Sequence, residues 1–249
     1  MATATHPYEP TPGYRMNVLI RRRPNASREE LVANWFANHM PALVKAMGAA
    51  ALAGKPHATR YITTLFDANA KGEYPWDGMA QLWWPMNLPK PAEPHGTKPV
   101  DTFQQKAAPY MPWMVKEHVV IDDAGRLPIT PNTLNEPFPF SRTGFFKTTI
   151  LLKTKPGADD AAFFRHWMDV HVPNVVELMA KVGGFRYVVS HSVDPSIEDY
   201  TGMAELYFED AEGWAKFRAG STPDGMETYM DPSGYSIFTG NTQFVGIPG

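Results

Sequence analysis

The chain has 249 residues, 43% hydrophobic and 20% charged, which is typical of a folded globular protein. Its 23 Lys and Arg residues against 26 Asp and Glu residues argue against the positive field that sequence-independent nucleic-acid binding requires. The absence of cysteine excludes disulfides, thiolate catalysis and cysteine-ligated metals. No apolar run approaches the roughly 20 residues of a membrane span, so we expect no membrane partner and a cytoplasmic location. From the charge balance we expect no nucleic-acid partner.

The sequence contains a tandem repeat with an offset of 132 residues. At this offset, MNVLIRRRPNASREELVANWFANHMPALVKAM aligns with TTILLKTKPGADDAAFFRHWMDVHVPNVVELM. The similarity continues downstream with small gaps, where DGMAQLWW aligns with TGMAELYF. We therefore predict two copies of one domain, at residues 12–121 and 143–249, joined by a Pro-rich linker at 122–142.

Each copy predicts the same series of elements. Short segments rich in aliphatic and β-branched residues end at Pro-Asn or Pro-Gly and predict strands, and Ser27 and Asp159 or Asp160 are expected to cap the helices that follow. The predicted elements, given for the first and then the second copy, are strands 15–23 and 146–155, helices from 27 and from 159 or 160, strands 58–65 and 185–191, strands 78–84 and 202–208, helices 100–108 and 211–219, and strands 115–121 and 236–245.

This order, β-α-β-β-α-β, is that of the ferredoxin-like unit, an antiparallel sheet with both helices on one face. The other face of such a sheet stays bare, and two sheets in one chain can cover these faces by packing against each other. We therefore predict an α+β protein whose two ferredoxin-like repeats pair face to face as an intramolecular dimeric α/β barrel. This is a pseudo-dimer within one chain, and further homo-oligomerisation stays open.

The most informative motif is W-x-x-x-H-x-P, which occurs once in each copy. Trp35 and His39 form it in the first copy, and Trp167 and His171 form it in the second. A spacing of four places both side chains on one helical face, and the proline two residues after the histidine favours a break beside it. A histidine at such a break, with an indole wall beside it, suits proton transfer near neutral pH. The alternative is structural, with the tryptophan filling the core and the histidine capping a loose carbonyl.

The motif and its surroundings resemble the EthD domain of the dimeric α/β-barrel superfamily. The segment FRHWMDVHVPN of the second copy fits best, and ANWFANHMP of the first copy fits with fewer aromatic neighbours. The resemblance implies a ferredoxin-like half barrel that pairs with another. It also implies a role in the degradation of ethers and other organic compounds, or in the dehydration or cyclisation of polyketide-like aromatic compounds. By the same resemblance, His39 and His171 are the candidate acid–base residues.

Other candidate site residues lie on the predicted strands. Arg60 and Arg186 are each followed by a tyrosine, and each pair could orient a substrate oxygen, although such an arginine more often forms a salt bridge at the rim of the sheet. Glu205 replaces a glutamine of the first copy and is a candidate base if it is buried, or else a partner of Arg186 or Lys153. The predicted substrate-binding residues are Trp35, Trp167, Arg60, Tyr61, Arg186, Tyr187 and Glu205.

The second copy also carries an additional histidine near the motif. His166 stands where the first copy has Asn34. In an α-helix, positions five residues apart are separated by about 140° around the axis, so His166 and His171 are not required to share a site.

These residues predict a small-molecule enzyme of the lyase, dehydratase or isomerase type, acting on an apolar aromatic or polyketide-like compound without an organic cofactor or metal. No P-loop, G-x-G-x-x-G, G-x-S-x-G or H-E-x-x-H motif is present. Two alternatives stay open. The first is a haem- or oxygen-dependent oxidase or peroxidase of the same superfamily, with histidine as the axial ligand. The second is a non-catalytic protein that binds a hydrophobic metabolite.

Overall fold

The computed structural model describes residues 8–68, 75–127 and 137–249, which form two compact units. The first-repeat unit comprises Pro12–Met114, Pro128–Thr143 and Gly240–Gly249. The second-repeat unit comprises Met1–Thr11, Val115–Leu127 and Gly144–Thr239. Each unit is named after the repeat that supplies most of its residues.

In the residues that the structure describes, the first-repeat unit contains an antiparallel sheet and three α-helices. The bounds of its elements are β1 Tyr14–Ile20, α1 Arg28–Asn34, α2 Met40–Leu52, β2 Arg60–Leu65, β3 Gly78–Trp84, α3 Thr102–Lys106, β5 Phe140–Arg142 and β10 Thr242–Ile247. The sheet has the strand order β5-β10-β2-β3-β1.

The second-repeat unit repeats this plan, with a sheet in the order β4-β7-β8-β6-β9. Short 3₁₀ turns lie at Ala124–Arg126, Met226–Thr228 and Pro232–Gly234. The bounds of the other elements are β4 Pro112–Asp122, β6 Phe146–Leu152, α4 Asp160–His166, α5 Val172–Val182, β7 Arg186–Ser192, β8 Gly202–Phe208, α6 Ala211–Gly220 and β9 Ser236–Gly240.

The helices begin at the predicted caps. The Ser27 hydroxyl accepts from the Glu30 backbone N–H while the Glu30 carboxylate accepts from the Ser27 N–H, a complete capping box. Asp159 caps α4 by accepting from the Ala162 N–H. The helices then bury an apolar side in a core shared with alternate strand residues, to which Leu31 and Val18 both belong in the first-repeat unit.

The last strand of each repeat belongs to the sheet of the other unit. In the first-repeat unit, β10 pairs with β2 on one edge and with β5 on the other. In the second-repeat unit, β4 pairs with β7 from Val115 to Asp122. The α+β class and the β-α-β-β-α-β order of both repeats are thus confirmed. Within the predicted 122–142 linker the structure has a 3₁₀ turn and β5, and residues 128–136 lie outside the described residues.

Candidate functional site

Each W-x-x-x-H-x-P motif forms a π turn inside a helix. The turns span Trp35–His39 and Trp167–His171, and in each the backbone N–H after the histidine donates to the tryptophan carbonyl five positions earlier. The proline that follows cannot donate a backbone hydrogen bond, so the wider turn accommodates a position where an α-helix would lose one. The predicted break beside each histidine is therefore a π turn, and the helix continues beyond it.

A buried Trp–Tyr hydrogen bond anchors each π turn. The Trp35 indole N–H donates to the Tyr61 hydroxyl over 3.4 Å, and Trp167 donates to Tyr187 over 3.3 Å. Burial raises the pKa of Tyr61 to about 12 and also raises the pKa of Tyr187. Both phenols therefore stay protonated, and the residues predicted to hold substrate also fix the turn that presents the histidine.

The repeated glycine that opens β3 and β8 makes room for the same tryptophan. A Cβ on Gly202 would lie 2.6 Å from the Trp167 ring, and a Cβ on Gly78 would lie 3.2 Å from the Trp35 ring. Both distances are shorter than ordinary contacts, so the glycines permit the strand and the indole to approach closely. The GMA segment shared by the two repeats therefore belongs to the same local structure as the histidine motif.

In the second-repeat unit, His171 forms a pair with Asp224. Its ring Nδ1 lies 2.8 Å from Asp224 Oδ2. The histidine side chain is 33% exposed, whereas the aspartate side chain is 10% exposed. Asp224 is the hydrogen-bond partner of this ring among the described residues, and one-third of the histidine side chain is open to solvent.

Further donors surround Asp224. Asn174 Nδ2 donates to Oδ2 over 3.1 Å, and the Met226 backbone N–H donates to Oδ1 over 3.2 Å. Burial by itself would raise the pKa of Asp224, but the hydrogen bonds and the proximity of His171 outweigh it and lower the pKa. The carboxylate is therefore ionised and held in place.

His166 also approaches this carboxylate. Its Nε2 lies 3.8 Å from Asp224 Oδ1, so His166 and His171 converge on one side chain. The expectation from α-helical geometry was a separation of about 140° around the axis. That expectation is corrected because the intervening π turn closes its hydrogen bond over five residues and thus brings positions five apart towards the same side.

The first-repeat unit has its own His–Asp pair. His39 Nδ1 lies 2.6 Å from Asp101 Oδ2, with side-chain exposures of 19% and 29%. Asp101 also caps α3, because its Oδ1 accepts from the Gln104 backbone N–H over 2.8 Å. The His39 ring packs against Phe103, with ring centroids 4.5 Å apart.

The two carboxylates come from different positions in the repeats. Asp101 is the cap of α3, and the corresponding cap of α6 is Asp210, which accepts from the Gly213 N–H. His171 instead pairs with Asp224, which follows α6 in a turn. Sequence comparison of the copies therefore located both histidines and neither aspartate. The helix-cap pattern before α3 was the one available signal, and it indicates a cap without indicating a histidine partner.

The other predicted site residues lie apart from the histidines. Arg186 forms a salt bridge with Asp122, and the Arg60 guanidinium lies 4.8 Å from the centre of the Trp83 ring. Glu205 is buried, and its cation is Lys147, with Nζ 2.6 Å from Oε1. The sequence suggested Arg186 or Lys153 as that partner. This is corrected by the register, which places Lys147 of β6 and Glu205 of β8 on the same side of the sheet, at neighbouring pairs.

Residues 8–68, 75–127 and 137–249 contain no group of three or more His, Cys, Asp or Glu side chains suited to a metal ion. None of the helices in that described part of the chain has the length and apolarity that a membrane span requires.

Fold and site together define a tandem ferredoxin-like α+β protein that carries a His–Asp pair in each unit. Residues 155–233 match the EthD domain, which confirms the family resemblance for the second repeat. This range contains the π turn with His171 as well as Asp224. No curated protein sequence matches the chain.

Solved structures with a similar chain trace have low sequence identity. An anthrone oxidase-like protein shares 11% identity with a TM-score of 0.49, over 93% of this chain and 90% of that chain. A haem-binding protein from Thermus thermophilus shares 12% with a TM-score of 0.42, over 97% and 95% of the two chains. A variant of the chlorite dismutase from Candidatus Nitrospira defluvii shares 8% with a TM-score of 0.48, over 92% and 90%.

Proposed function

We propose that the protein is a small-molecule enzyme in which His171 transfers a proton and Asp224 supports it. The observation that carries this proposal is the 2.8 Å contact between His171 Nδ1 and Asp224 Oδ2, on a ring that is one-third exposed. A partly buried, ionised carboxylate on Nδ1 keeps the proton on that nitrogen and leaves the lone pair on Nε2. His171 Nε2 then acts as the base.

The pair also stabilises the state that follows proton transfer. When Nε2 takes a proton from the substrate, the ring becomes a cation, and the negative charge of Asp224 stabilises it. The imidazolium can return this proton to another carbon, which is an isomerisation, or to a departing hydroxyl group, which is a dehydration. Trp167 and Tyr187 act as positioning residues in this scheme because their hydrogen bond anchors the π turn.

The EthD match and the residues near the site support a proposal for the substrate class. We infer an apolar, enolisable aromatic or polyketide-like compound, handled by lyase, dehydratase or isomerase chemistry in the breakdown of organic compounds. Aromatic side chains lie near the histidines, with Tyr229 5.6 Å from His166 between ring centroids. His39 with Asp101 would carry out the same kind of proton transfer in the first-repeat unit, against the ring of Phe103.

Proton transfer can be tested without knowing the natural substrate. We would measure hydrogen–deuterium exchange at the acidic carbon of 2-tetralone in D₂O by NMR. The variants are His39→Ala, His171→Ala, their combination, and His57→Ala as a control at a histidine outside both pairs. We expect exchange to fall by about 10² to 10⁴ in the combined variant, the usual contribution of a general acid–base residue. Exchange equal in wild type and combined variant contradicts the proposal.

The haem alternative assigns a different role to His171. A histidine that holds haem would offer one nitrogen to the iron while its other nitrogen is anchored, and His171 fits this role because its Nδ1 lies against Asp224. His171 would hold the haem, which supplies redox chemistry when bound. Titration with haemin separates the two functions, since a Soret band that is lost in His171→Ala favours the alternative. A non-catalytic binding protein is excluded if catalytic amounts of wild type accelerate exchange.

A further inference from the structure

A tyrosine of the first-repeat unit, Tyr110, belongs to the same cluster as the His39–Asp101 pair. The centre of the Phe103 ring lies 4.5 Å from that of His39 and 6.1 Å from that of Tyr110. Burial raises the pKa of the Tyr110 hydroxyl, and the negative charge of Asp101 is close enough to raise it as well. Tyr110 therefore lies within the candidate site of this unit.

Helix α3 connects Tyr110 to the histidine pair through hydrogen bonds. Asp101, whose Oδ2 contacts His39, accepts from the Gln104 backbone N–H with Oδ1 over 2.8 Å. The Gln104 side chain donates from Nε2 to the Tyr110 hydroxyl over 3.3 Å. Its Oε1 accepts from the Val100 backbone N–H over 3.0 Å, which fixes the orientation of the amide. The start of this short helix therefore positions both the histidine and the tyrosine hydroxyl.

The segment before α3 also holds Tyr110. His95 and Tyr110 exchange two backbone hydrogen bonds, of 2.8 and 3.0 Å, and their ring centroids are 5.7 Å apart. The carbonyl of Gly96, the next residue, accepts from the Arg23 guanidinium over 2.9 Å. Tyr110 is thus fixed at its backbone, its ring and its hydroxyl oxygen. A group fixed in this way loses little conformational freedom when a ligand binds.

The hydrogen of the Tyr110 hydroxyl has no acceptor in the part of the chain that the structure describes. The hydroxyl oxygen accepts from Gln104, and this is its hydrogen bond among the described residues. The proton stays on the oxygen at neutral pH, because burial and the charge of Asp101 raise the pKa of Tyr110 to about 12 despite the opposing effect of the Gln104 hydrogen bond. The side chain is only half-buried, so this O–H is able to donate to a bound molecule.

We propose that Tyr110 binds the carbonyl oxygen of the substrate in the first-repeat unit, while His39 takes a proton from the carbon next to that carbonyl. This assignment rests on the proposed function and extends it to recognition of an enolisable ketone. As His39 Nε2 forms its N–H bond, the C–H electron pair becomes the C=C bond of the enolate and the carbonyl π pair moves onto oxygen. The Tyr110 O–H keeps its proton and donates a hydrogen bond to that oxygen, which stabilises the negative charge.

Binding of a stable enol mimic tests the role of Tyr110 without relying on turnover. The probe is 2-naphthol, which carries the hydroxyl of the 2-tetralone enol on a planar aromatic frame, and naphthalene is the matched probe without oxygen. Two-dimensional ¹H–¹⁵N NMR of the His39 ring, assigned from the spectrum of His39→Ala, reports binding at this site. We expect 2-naphthol to shift the His39 signals saturably. Tyr110→Phe should weaken its binding about 5- to 10-fold, the effect of one hydrogen bond, and leave that of naphthalene unchanged.

A second measurement follows catalysis by the first-repeat unit alone. In the His171→Ala background, exchange of 2-tetralone reports the His39 site, and there Tyr110→Phe should lower kcat about 10²-fold while KM changes far less. The donor acts mainly on charge that develops in the transition state, which is the reason for this difference. Tyr235→Phe removes the same hydroxyl at an exposed position of the second-repeat unit and should match its parent in both measurements.

The assignment is overturned if 2-naphthol leaves the His39 signals unshifted or if its affinity is unchanged in Tyr110→Phe. Equal weakening of naphthalene also overturns it, because a packing defect would act on both probes. If Tyr110→Phe lacks the near-UV circular dichroism of the wild type, Gln104→Met/Tyr110→Phe removes both members of the hydrogen bond instead, and unchanged affinity there is equally decisive. Absent exchange in the wild type contradicts the proposed proton transfer but not the binding result, so the two proposals fail separately.

Discussion

Lys147→Met is expected to destabilise the second-repeat unit strongly. The exposures of the Lys147 and Glu205 side chains are 0% and 2%, and Nζ and Oε1 are 2.6 Å apart. Removing the lysine breaks this buried ion pair on one side, which typically costs about 3–5 kcal/mol. At about 2–4 °C per kcal/mol for a chain of this size, the melting temperature should fall by roughly 6–20 °C.

Differential scanning calorimetry of four proteins checks this reasoning. Lys147→Met/Glu205→Gln removes both charges and creates the neutral amide found in the first repeat, so we expect it to recover most of the lost stability. Lys181→Met breaks an ion pair of the same 2.6 Å length whose side chains are 64% and 70% exposed. Because solvent screens this pair, the variant should melt at almost the same temperature as the wild type. The reasoning is refuted if Lys147→Met is as mild as Lys181→Met, or if the double variant is as unstable as the single one.

Three further predictions concern other parts of the structure. Tyr187→Phe removes the acceptor of a buried indole N–H and should lower the free energy of unfolding by about 1–3 kcal/mol. An unchanged melting temperature would argue against the anchoring role. Because the fold lowers the pKa of Asp224, its ionised form stabilises the protein above about pH 4, and this contribution disappears as the pH falls through the folded-state value. Asp224→Asn should thus be less stable than wild type in urea at pH 7, with a smaller difference at pH 3, whereas a pH-independent difference contradicts the assignment. A chain that ends at residue 122 lacks β10 and β5, which pair beside β2, and it also lacks β7, the partner of β4. Light scattering of this chain should therefore show aggregates or dimers, and a folded monomer would contradict the prediction.

Local pattern was sufficient to predict most of the elements, but β5 lies in the predicted linker, and the single strand predicted at 236–245 is two strands, β9 and β10. These patterns act over a few residues, as do the aliphatic segments of the strands, the Ser27 and Asp159 caps and the apolar spacing of the helices. The repeat with its 132-residue offset added support, because an element predicted in one copy is also expected in the other. Helix α3 has only five residues, and it lies within the predicted range of 100–108. The exchange of β4 and β10 between the units was not predictable in this way, because hydrogen bonding of a strand edge does not specify which repeat supplies the partner.

The sequence predicted the histidines of the candidate site but not their carboxylate partners. The histidines stand out because both copies carry them, but their carboxylates lie 62 and 53 residues away and at positions that do not correspond. The π turn was also not predicted, because the apolar spacing of a helix does not reveal a single wider turn. This turn brings His166 and His171 towards the same side of the helix. Lys147 was missed as the partner of Glu205 because the pair depends on the β6–β8 register.

The protonation pattern of the His171 ring tests the central claim most directly. Two-dimensional ¹H–¹⁵N NMR at pH 8, with His171 assigned from the spectrum of His171→Ala, distinguishes a proton on Nδ1 from one on Nε2. The account predicts Nδ1–H with a bare Nε2 in the wild type, and loss of this preference in Asp224→Asn. A proton on Nε2 in the wild type, or an identical pattern in Asp224→Asn, would contradict the claim that Asp224 prepares His171 to accept a proton.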